Sequence, residues 1–468
     1  MNYKKLFNLR YQYFFIIVFI VNLLIIFLSK NTNEIDLHCS IIETNATSQE
    51  IIDSNSTCDT SSNLRAAQDF LKLELSPTTM KTLNNWPIGM PLLFLPLLIL
   101  EQIGIPLILS FAVFMSLLIS YFLTICFKLS IRLNRPLLGY VFAIIFLFTS
   151  PNEGWISGSG LLYPEGIAIT LWLIALVKIF TIEKLNSNPK LKSILFISLC
   201  LALASYFRAI FEFQINLLLA ITAFLMILSL NKSFISKKLL NIFNTPLLKK
   251  IFVVLLFTSL FMIPWRLVAE KIVHPGNYGW TSSYNKWWIT WIPTERLSEF
   301  NISFDSAQGG INLACQLDPT RCSNFNIPVS FMEEGSMARN DSKYLSAYLN
   351  SIFENPRAYL KTKLLIFKDY WLQDNQFNYL RNWNFSEGYF YAGILVLSSL
   401  FGISQLRKIP FTSLIVYTSV FSQFFVLLLH HVEARYFIGI KLISLSYLFL
   451  LIMCVPNLDF SKRLIARR

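Results

Sequence analysis

Long apolar segments with almost no charged residues recur along the whole chain. Each covers about 17–25 residues, the length that an α-helix needs to cross ~30 Å of hydrocarbon. Only 14% of the 468 residues are charged and 54% are hydrophobic, whereas soluble domains carry about 25% charged residues. The sequence therefore predicts a polytopic membrane protein and excludes a simple soluble domain and a disordered chain.

Ten of these segments are predicted to span the membrane, which makes the expected fold all-α. They lie near residues 11–29, 105–127, 136–150, 162–180, 193–209, 211–230, 251–270, 389–404, 411–430 and 437–454. We expect one membrane domain over residues 1–468. Two long extracytoplasmic loops, 30–104 and 271–388, are expected to carry short helices.

Lysine and arginine residues indicate the orientation, because short cytoplasmic connections are rich in these residues. With ten spans, every basic cluster falls on the same side of the membrane. The clusters lie at residues 4–10, 128–135, 184–192, 232–250, 407–408 and 462–468. We expect that side to be the cytoplasm, with both termini in it, and we expect the membrane to be a bacterial inner membrane.

The apolar segment 87–103 is interrupted by Pro91, Pro96 and Glu101. A full span at this point would invert every later connection and move the basic clusters outside. We therefore expect this segment to lie in or near the outer interface, as an in-plane or re-entrant helix.

Four of the seven cysteines fall in the two expected outer loops, and the other three fall inside spans. Paired cysteines in outer loops are typical of disulfides in an oxidising compartment. We expect Cys39, Cys58, Cys315 and Cys322 to form two disulfides. The connectivity stays open, although proximity along the chain favours the pairs 39–58 and 315–322.

Two carboxylates are candidate catalytic groups at the outer face. The sequence has no phosphate-binding loop, dinucleotide fingerprint or CxxC or HExxH metal motif, so any chemistry must use span ends and outer loops. Asp59 starts a predicted helix ahead of the Trp-Pro turn at Trp86, and the alternative is that it only caps that helix. Glu165 lies where the fourth span begins, where an acid is costly unless solvated or paired. Contact with lipid headgroups is the alternative for Glu165.

Arg208 lies at the outer end of the fifth span, against the positive-inside trend, so we expect an anionic partner for it. A lipid phosphate would suit its guanidinium group, and an intramolecular pair with Glu212 is the alternative. Trp265 and Arg266 add an aromatic side chain and a cation at the outer end of the seventh span.

The short turn 430–436 between the last two spans is predicted to contribute Glu433, Arg435 and Tyr436 to the same face. Such a turn could bind phosphate or help to hold a metal ion. A polar turn with an interfacial tyrosine is the alternative.

In this order, the residues resemble the GT-C superfamily of membrane glycosyltransferases. The nearest branch is the protein O-mannosyltransferase and aminoarabinose-transferase-like group. In the first outer loop, Asp59, Ala67 and the segment Trp86-Pro-Ile-Gly-Met-Pro91 match the family pattern, whereas Asn63 and Ile88 depart from it. Because the match of Asp59 rests partly on spacing, three other aspartates remain competitors: Asp36, Asp53 and Asp69.

Later segments extend the resemblance over nearly the whole chain. Glu165 and Arg208 look like the family's acid before a span and its arginine at the top of a span. The last three similarities are Pro264-Trp265 with Arg266 displaced, the segment 352–360, and Arg435-Tyr436 without the following proline.

The resemblance implies a GT-C-like fold and an inverting transfer from a polyprenyl-phosphate sugar to a lipid, glycan or protein acceptor. It implies Asp59 as the base and Glu165 as a positioning acid. Arg208 and Arg435 would bind the departing phosphate, while Tyr436 and the outer tryptophans would shape the sugar pocket. The partners would be the donor, the acceptor and membrane lipids, with no nucleic acid. Some family members are thought to use a divalent metal ion, and the sequence does not decide whether this chain does.

Three other classes of function stay open, and one of them, a structural or receptor role, would leave the outer carboxylates dispensable. A polymerase or ligase of lipid-linked polysaccharides with another fold would also have large outer loops and arginines. A secondary transporter would need polar groups near mid-membrane and internal repeats. No repeat is evident, so a transporter is the less favoured alternative.

Overall fold

In the computed structural model, the described part of the chain is almost entirely helical. The structure describes residues 3–28, 34–36, 41–43, 46–54, 59–149, 162, 164–185, 189–230, 245–273, 353, 356–357, 360, 363–364, 367–368, 371, 387–429 and 437–455. The one β element in these ranges is an antiparallel ladder of β1 (Glu34–Asp36) and β2 (Ile41–Glu43).

Fourteen α-helices have defined bounds within the described ranges. They are α1 (Tyr3–Leu28), α2 (Ser48–Ser54), α3 (Asp59–Leu71), α4 (Pro77–Asn85), α5 (Gly89–Gln102), α6 (Leu107–Arg132), α7 (Pro136–Thr149), α8 (Pro164–Lys184), α9 (Leu191–Phe207), α10 (Ala209–Leu230), α11 (Thr245–Val268), α12 (Glu387–Gln405), α13 (Pro410–Leu429) and α14 (Ile438–Cys454). A π-helical turn, Ala269–Val273, continues α11.

Six helices of the described chain are long and apolar enough to cross a membrane: α6, α8, α10, α11, α12 and α13. The protein is therefore a multi-pass membrane protein, and the expected helical fold is confirmed to that extent. Shorter apolar helices, among them α7, α9 and α14, lie at other predicted span positions. A helix is thus present at each of the ten positions.

Helix α8 is the most enclosed of these six, with 83% of its most apolar 18-residue window buried. It packs against α6, α9, α13 and α14, and an apolar sequence such as Ile167–Trp172 is accordingly buried on all sides. A helix that is apolar all round is expected to have this position. Because Glu165 lies in the first turn of α8, the central helix of the bundle positions that carboxylate.

The connections 133–135 and 406–409 and the end of α8 meet at one end of the bundle, around Cys454 in α14, and we call this the basic end. There Arg135 donates hydrogen bonds to the carbonyls of Ile452 and Val455, at the end of α14. Glu183 accepts hydrogen bonds from the first backbone N–H groups of α13. These contacts fix the bundle at the basic end. The opposite end, where α8, α10, α12 and α14 begin and α9 and α11 end, we call the loop end.

Both ends of α5 lie near the loop end. Its first residue, Gly89, is so close to Tyr206 at the end of α9 that an added Cβ would lie 2.5 Å from the Tyr206 carbonyl oxygen. Near its other end, Glu101 accepts a 2.6 Å hydrogen bond from the backbone N–H of Ser48 in the first loop. Helix α6 then begins at Leu107, only five residues after α5 ends.

Candidate functional site

Glu165 and Arg208 form an ion pair at the loop end. The distance between Arg208 Nη1 and Glu165 Oε1 is 3.2 Å, and the side chains are 22% and 4% exposed, respectively. Glu165 follows Pro164 in the first turn of α8, where the helix dipole favours a negative charge. Arg208 is an extended residue between α9 and α10, so a single-residue break in the helices directs its side chain towards α8.

A second pair joins α10 to α11. Arg266 Nη2 lies 2.7 Å from Glu212 Oε1, and Arg266 Nε donates a further hydrogen bond of 2.8 Å to the same oxygen. Arg266 Nη2 also lies 3.4 Å from Asn216 Oδ1. Glu212, which the sequence offered as an alternative partner of Arg208, thus pairs with Arg266, whereas Arg208 pairs with Glu165.

Tyr206 and Trp265 connect the two pairs to the first loop. The Tyr206 hydroxyl donates to the Phe261 carbonyl at 2.6 Å, and Tyr206 interacts electrostatically with Arg266 and Glu212. Trp265 is buried in a cluster with Ile88, and Tyr206 packs against that cluster. The Trp-Pro segment therefore lies beside the charged residues, although it is more than 70 positions away from each of them in the chain.

Helix caps order the described part of the first loop. Thr47 and Glu50 form a capping box at α2, in which the Thr47 N–H and hydroxyl donate to Glu50 Oε2 at 2.7 and 2.9 Å. These hydrogen bonds, led by the one from the backbone N–H, hold the pKa of Glu50 below its usual value. Asp69 accepts from the Ser76 and Thr79 hydroxyls at the start of α4.

The competing aspartates therefore differ in their surroundings. Asp69 is part of a helix cap, and Asp53 accepts a 3.0 Å hydrogen bond from Gln49 on an exposed face. Asp36 lies in β1. Asp59 is the first residue of α3, but its side chain lies outside the described part of the chain.

Other predicted residues also fall outside the described ranges. They are Glu433, Arg435, Tyr436 and the four loop cysteines, Cys39, Cys58, Cys315 and Cys322. Trp86 is described: it is half-buried at the end of α4, and its N–H donates to the Thr82 carbonyl. The structure thus brings together Glu165, Arg208, Trp265 and Arg266 from the predicted set, with the segment of Trp86 beside them.

The sequence reasoning missed a buried ion pair at the same end. Lys441 Nζ lies 2.6 Å from Glu387 Oε1, with both side chains at most 7% exposed. The Lys441 ammonium is also 5.5 Å from the ring centroid of Trp371 and 5.8 Å from that of Tyr391. Lys441 is an ionisable residue within the last predicted span, and that signal alone would have marked it.

A divalent ion would need several oxygen or nitrogen ligands together. Within the described ranges, no group of three or more His, Cys, Asp or Glu side chains could hold a metal ion. Glu165 and Glu212 instead pair with guanidinium groups. The described residues therefore offer guanidinium groups for an organic anion.

Comparison of the chain with protein-family models, with curated proteins and with solved structures gave no match. The resemblance to the GT-C superfamily therefore stays a prediction.

Proposed function

We propose that this chain is an integral-membrane glycosyltransferase of the GT-C type. It moves a sugar from a polyprenyl-phosphate donor to a lipid, glycan or protein acceptor at the extracytoplasmic face. The observation that carries this proposal is the convergence of Glu165, Arg208, Glu212 and Arg266 beside the segment 86–91. Acids and guanidinium groups at the end of a membrane bundle suit a reaction on a lipid-linked phosphate.

The proposal includes ten spans, with both termini in the cytoplasm of a bacterial cell. A helix at each of the ten predicted positions supports this topology. The contacts of Gly89 with Tyr206 and of Glu101 with Ser48 support α5 as an in-plane or re-entrant helix. With α5 not crossing, the loop end is extracytoplasmic and the basic end is cytoplasmic.

The guanidinium groups suit the leaving phosphate. Arg208 and Arg266 have side chains that are 22% and 18% exposed. Each guanidinium group therefore pairs with a carboxylate of the protein and is still accessible from the surface. A guanidinium group has five N–H donors in a planar arrangement. One carboxylate can therefore hold the side chain in place while other donors face a phosphate. The resemblance to the GT-C superfamily adds Arg435 to the arginines that would bind the leaving phosphate.

The reaction is a single displacement. Asp59 removes the proton from the acceptor hydroxyl as its oxygen forms a bond to the anomeric carbon. The bond from that carbon to the phosphate oxygen breaks, and its electron pair leaves on the polyprenyl phosphate. Negative charge grows on this phosphate in the transition state, where Arg208 and Arg266 stabilise it. Attack opposite to the leaving group inverts the configuration, while Glu165 orients Arg208.

The test uses the purified full-length chain in lipid nanodiscs, with synthetic polyprenyl-phosphate sugars and, separately, nucleotide sugars. We expect release of polyprenyl phosphate from the lipid-linked donors only. Asp59→Asn should reduce release by about 10²–10⁴-fold, the range typical of a lost general base, because the amide cannot accept the proton. Arg208→Ala should raise the donor concentration needed for half-maximal release.

Asp53→Asn is the matched control, since Asp53 is an exposed acid in the same loop. It should retain the parent rate, and a loss in this variant together with full activity of Asp59→Asn would move the base to Asp53. Use of nucleotide sugars instead of lipid-linked donors would contradict the proposed donor. If transfer required a lipid-linked oligosaccharide as both donor and acceptor, the polymerase or ligase alternative would replace the proposed glycosyltransferase.

A further inference from the structure

Three cations lie together near the basic end of the bundle. Lys128 and Arg132 are one turn apart on the same face of α6. Lys178 is on the neighbouring helix α8. The Lys178 ammonium interacts electrostatically with both of the other cations, so three positive charges from two helices lie within electrostatic range of one another.

These cations have no carboxylate partner within the described ranges, where the salt bridges are those of Arg208, Arg266 and Lys441. Lys178 is half-buried, so its charge is screened less than that of a fully exposed lysine. Like charges disfavour one another at short range, most of all where water is partly excluded. Lys128 and Arg132 are exposed to solvent, and a bound anion would offset the remaining repulsion on the half-buried Lys178.

Aromatic rings border the three cations. The Lys178 ammonium is 5.9 Å from the ring centroid of Phe196 on α9. The Lys128 ammonium is 5.0 Å from that of Tyr11 on α1. Side chains from four helices thus lie around the three cations, and the aromatic rings among them suit the acyl chains of a lipid rather than a free ion.

The two lysines lie within about two turns of the ends of their helices. Lys178 is six residues before the end of α8, about 9 Å along the axis, and Lys128 is about 6 Å before the end of α6. Lysine and arginine at such depths extend their charged groups towards the headgroup layer. Basic pockets between helices on the cytoplasmic side are a general mode of binding anionic headgroups.

We infer that Lys128, Arg132 and Lys178 form a binding site for the phosphate of an anionic phospholipid. The occupant is a lipid of the leaflet at the basic end, with its acyl chains along α6, α8 and α9. This site is at the opposite end of the bundle from the proposed transferase site and does not depend on that function.

The test titrates the purified full-length chain in detergent with phosphatidylglycerol and counts retained lipids by native mass spectrometry. Lys178→Gln and Arg132→Gln should each bind phosphatidylglycerol about fivefold more weakly, the effect of one cation near an anionic headgroup. Arg132 is exposed, so its variant tests the site even if the Lys178 substitution impairs folding. Lys192→Gln removes an exposed charge at the same end and should bind as the parent chain does.

Equal weakening in Lys192→Gln and in both site variants would overturn the site, because the charge would then act diffusely. Equal retention of phosphatidylcholine by the parent chain would show that no anion is recognised, and this also overturns the inference. Inorganic phosphate at millimolar concentration should leave the bound lipid in place. Displacement by inorganic phosphate would replace the lipid site with a site for a free anion.

Discussion

At the scale of single residues, buried carboxylates have two different uses in this bundle. Glu165, Glu212 and Glu387 each pair with a cation at the loop end. Glu183 and the half-buried Glu101 instead accept hydrogen bonds from backbone N–H groups of another segment. An acid in an apolar environment is costly without a partner. Each of these five acids has such a partner, and in every case the partner comes from a distant part of the chain.

Gly89 is the residue at which the first loop approaches the backbone beside Arg208. Replacing it by alanine would place Cβ 2.5 Å from the carbonyl oxygen of Tyr206, and a backbone atom cannot rotate away. We expect Gly89→Ala to lower the free energy of unfolding by about 1–3 kcal/mol, as overpacking does. Thermal unfolding in detergent measures this loss, and the donor assay should lose activity as α5 moves away from Tyr206.

Gly393 provides the matched control for this prediction. It lies in α12, and an alanine Cβ there would have nothing within 4 Å. Gly393→Ala should leave the melting temperature unchanged or raise it, since glycine is the poorer helix former by up to about 1 kcal/mol. Equal melting temperatures for the two variants would contradict the close packing of α5 on α9.

At the scale of elements, helix ends are completed by side chains of other helices. Pro410 begins α13, and the N–H groups that follow it point to Glu183 at the end of α8. The Thr412 hydroxyl donates to the same carboxylate at 2.6 Å. A negative charge at this position also suits the positive end of the helix dipole. Helix α8 therefore fixes where α13 begins.

We expect Glu183→Ala to destabilise the protein by about 1–2 kcal/mol, the cost of losing a good helix cap. Glu183→Gln should cost less, because the amide oxygen still accepts one hydrogen bond although the charge is gone. Denaturant or thermal unfolding of the purified chain measures both. Lys184→Gln, at the next position, is the control, and a loss in this control as large as in Glu183→Ala would argue against the cap.

At the scale of the whole molecule, helix length alone does not decide which helices cross. Helices α5 and α7 both have 14 residues, or about 21 Å, which is less than the ~30 Å of hydrocarbon. Their surroundings differ: α7 starts beside Arg135 at the basic end and ends at Thr149, whose carbonyl accepts from Tyr391 near the start of α12. Both ends of α5 instead contact residues at the loop end.

The proposed topology predicts opposite accessibility for two exposed lysines. Lys72→Cys, after α3, should react with a membrane-impermeant maleimide in intact cells. Lys190→Cys, before α9, should react only after the membrane is opened. The measurement is the maleimide labelling of each variant in excess of the labelling of the unsubstituted chain. If α5 crossed the membrane, both cysteines would react in intact cells, and the proposed sidedness of the bundle would be wrong.

The sequence alone determined the class of protein and the positions of the helices. Apolar length is a local property, so a window of about 20 residues contains all of that information. It also placed Glu165, Arg208 and Trp265 at the same end, because alternating spans bring every second connection to one side. Lys441 escaped notice, although a charge inside a span is also a local signal.

Only the tertiary structure decided which groups touch. Arg208 has Glu212 four residues away in the chain but pairs with Glu165, since the extended residue between α9 and α10 directs it to α8. Likewise, Gly89 meets Tyr206 across more than 100 residues. Such partners depend on how helices rotate and pack against one another. No local pattern encodes that choice, because the free energy that selects it is shared by the whole core.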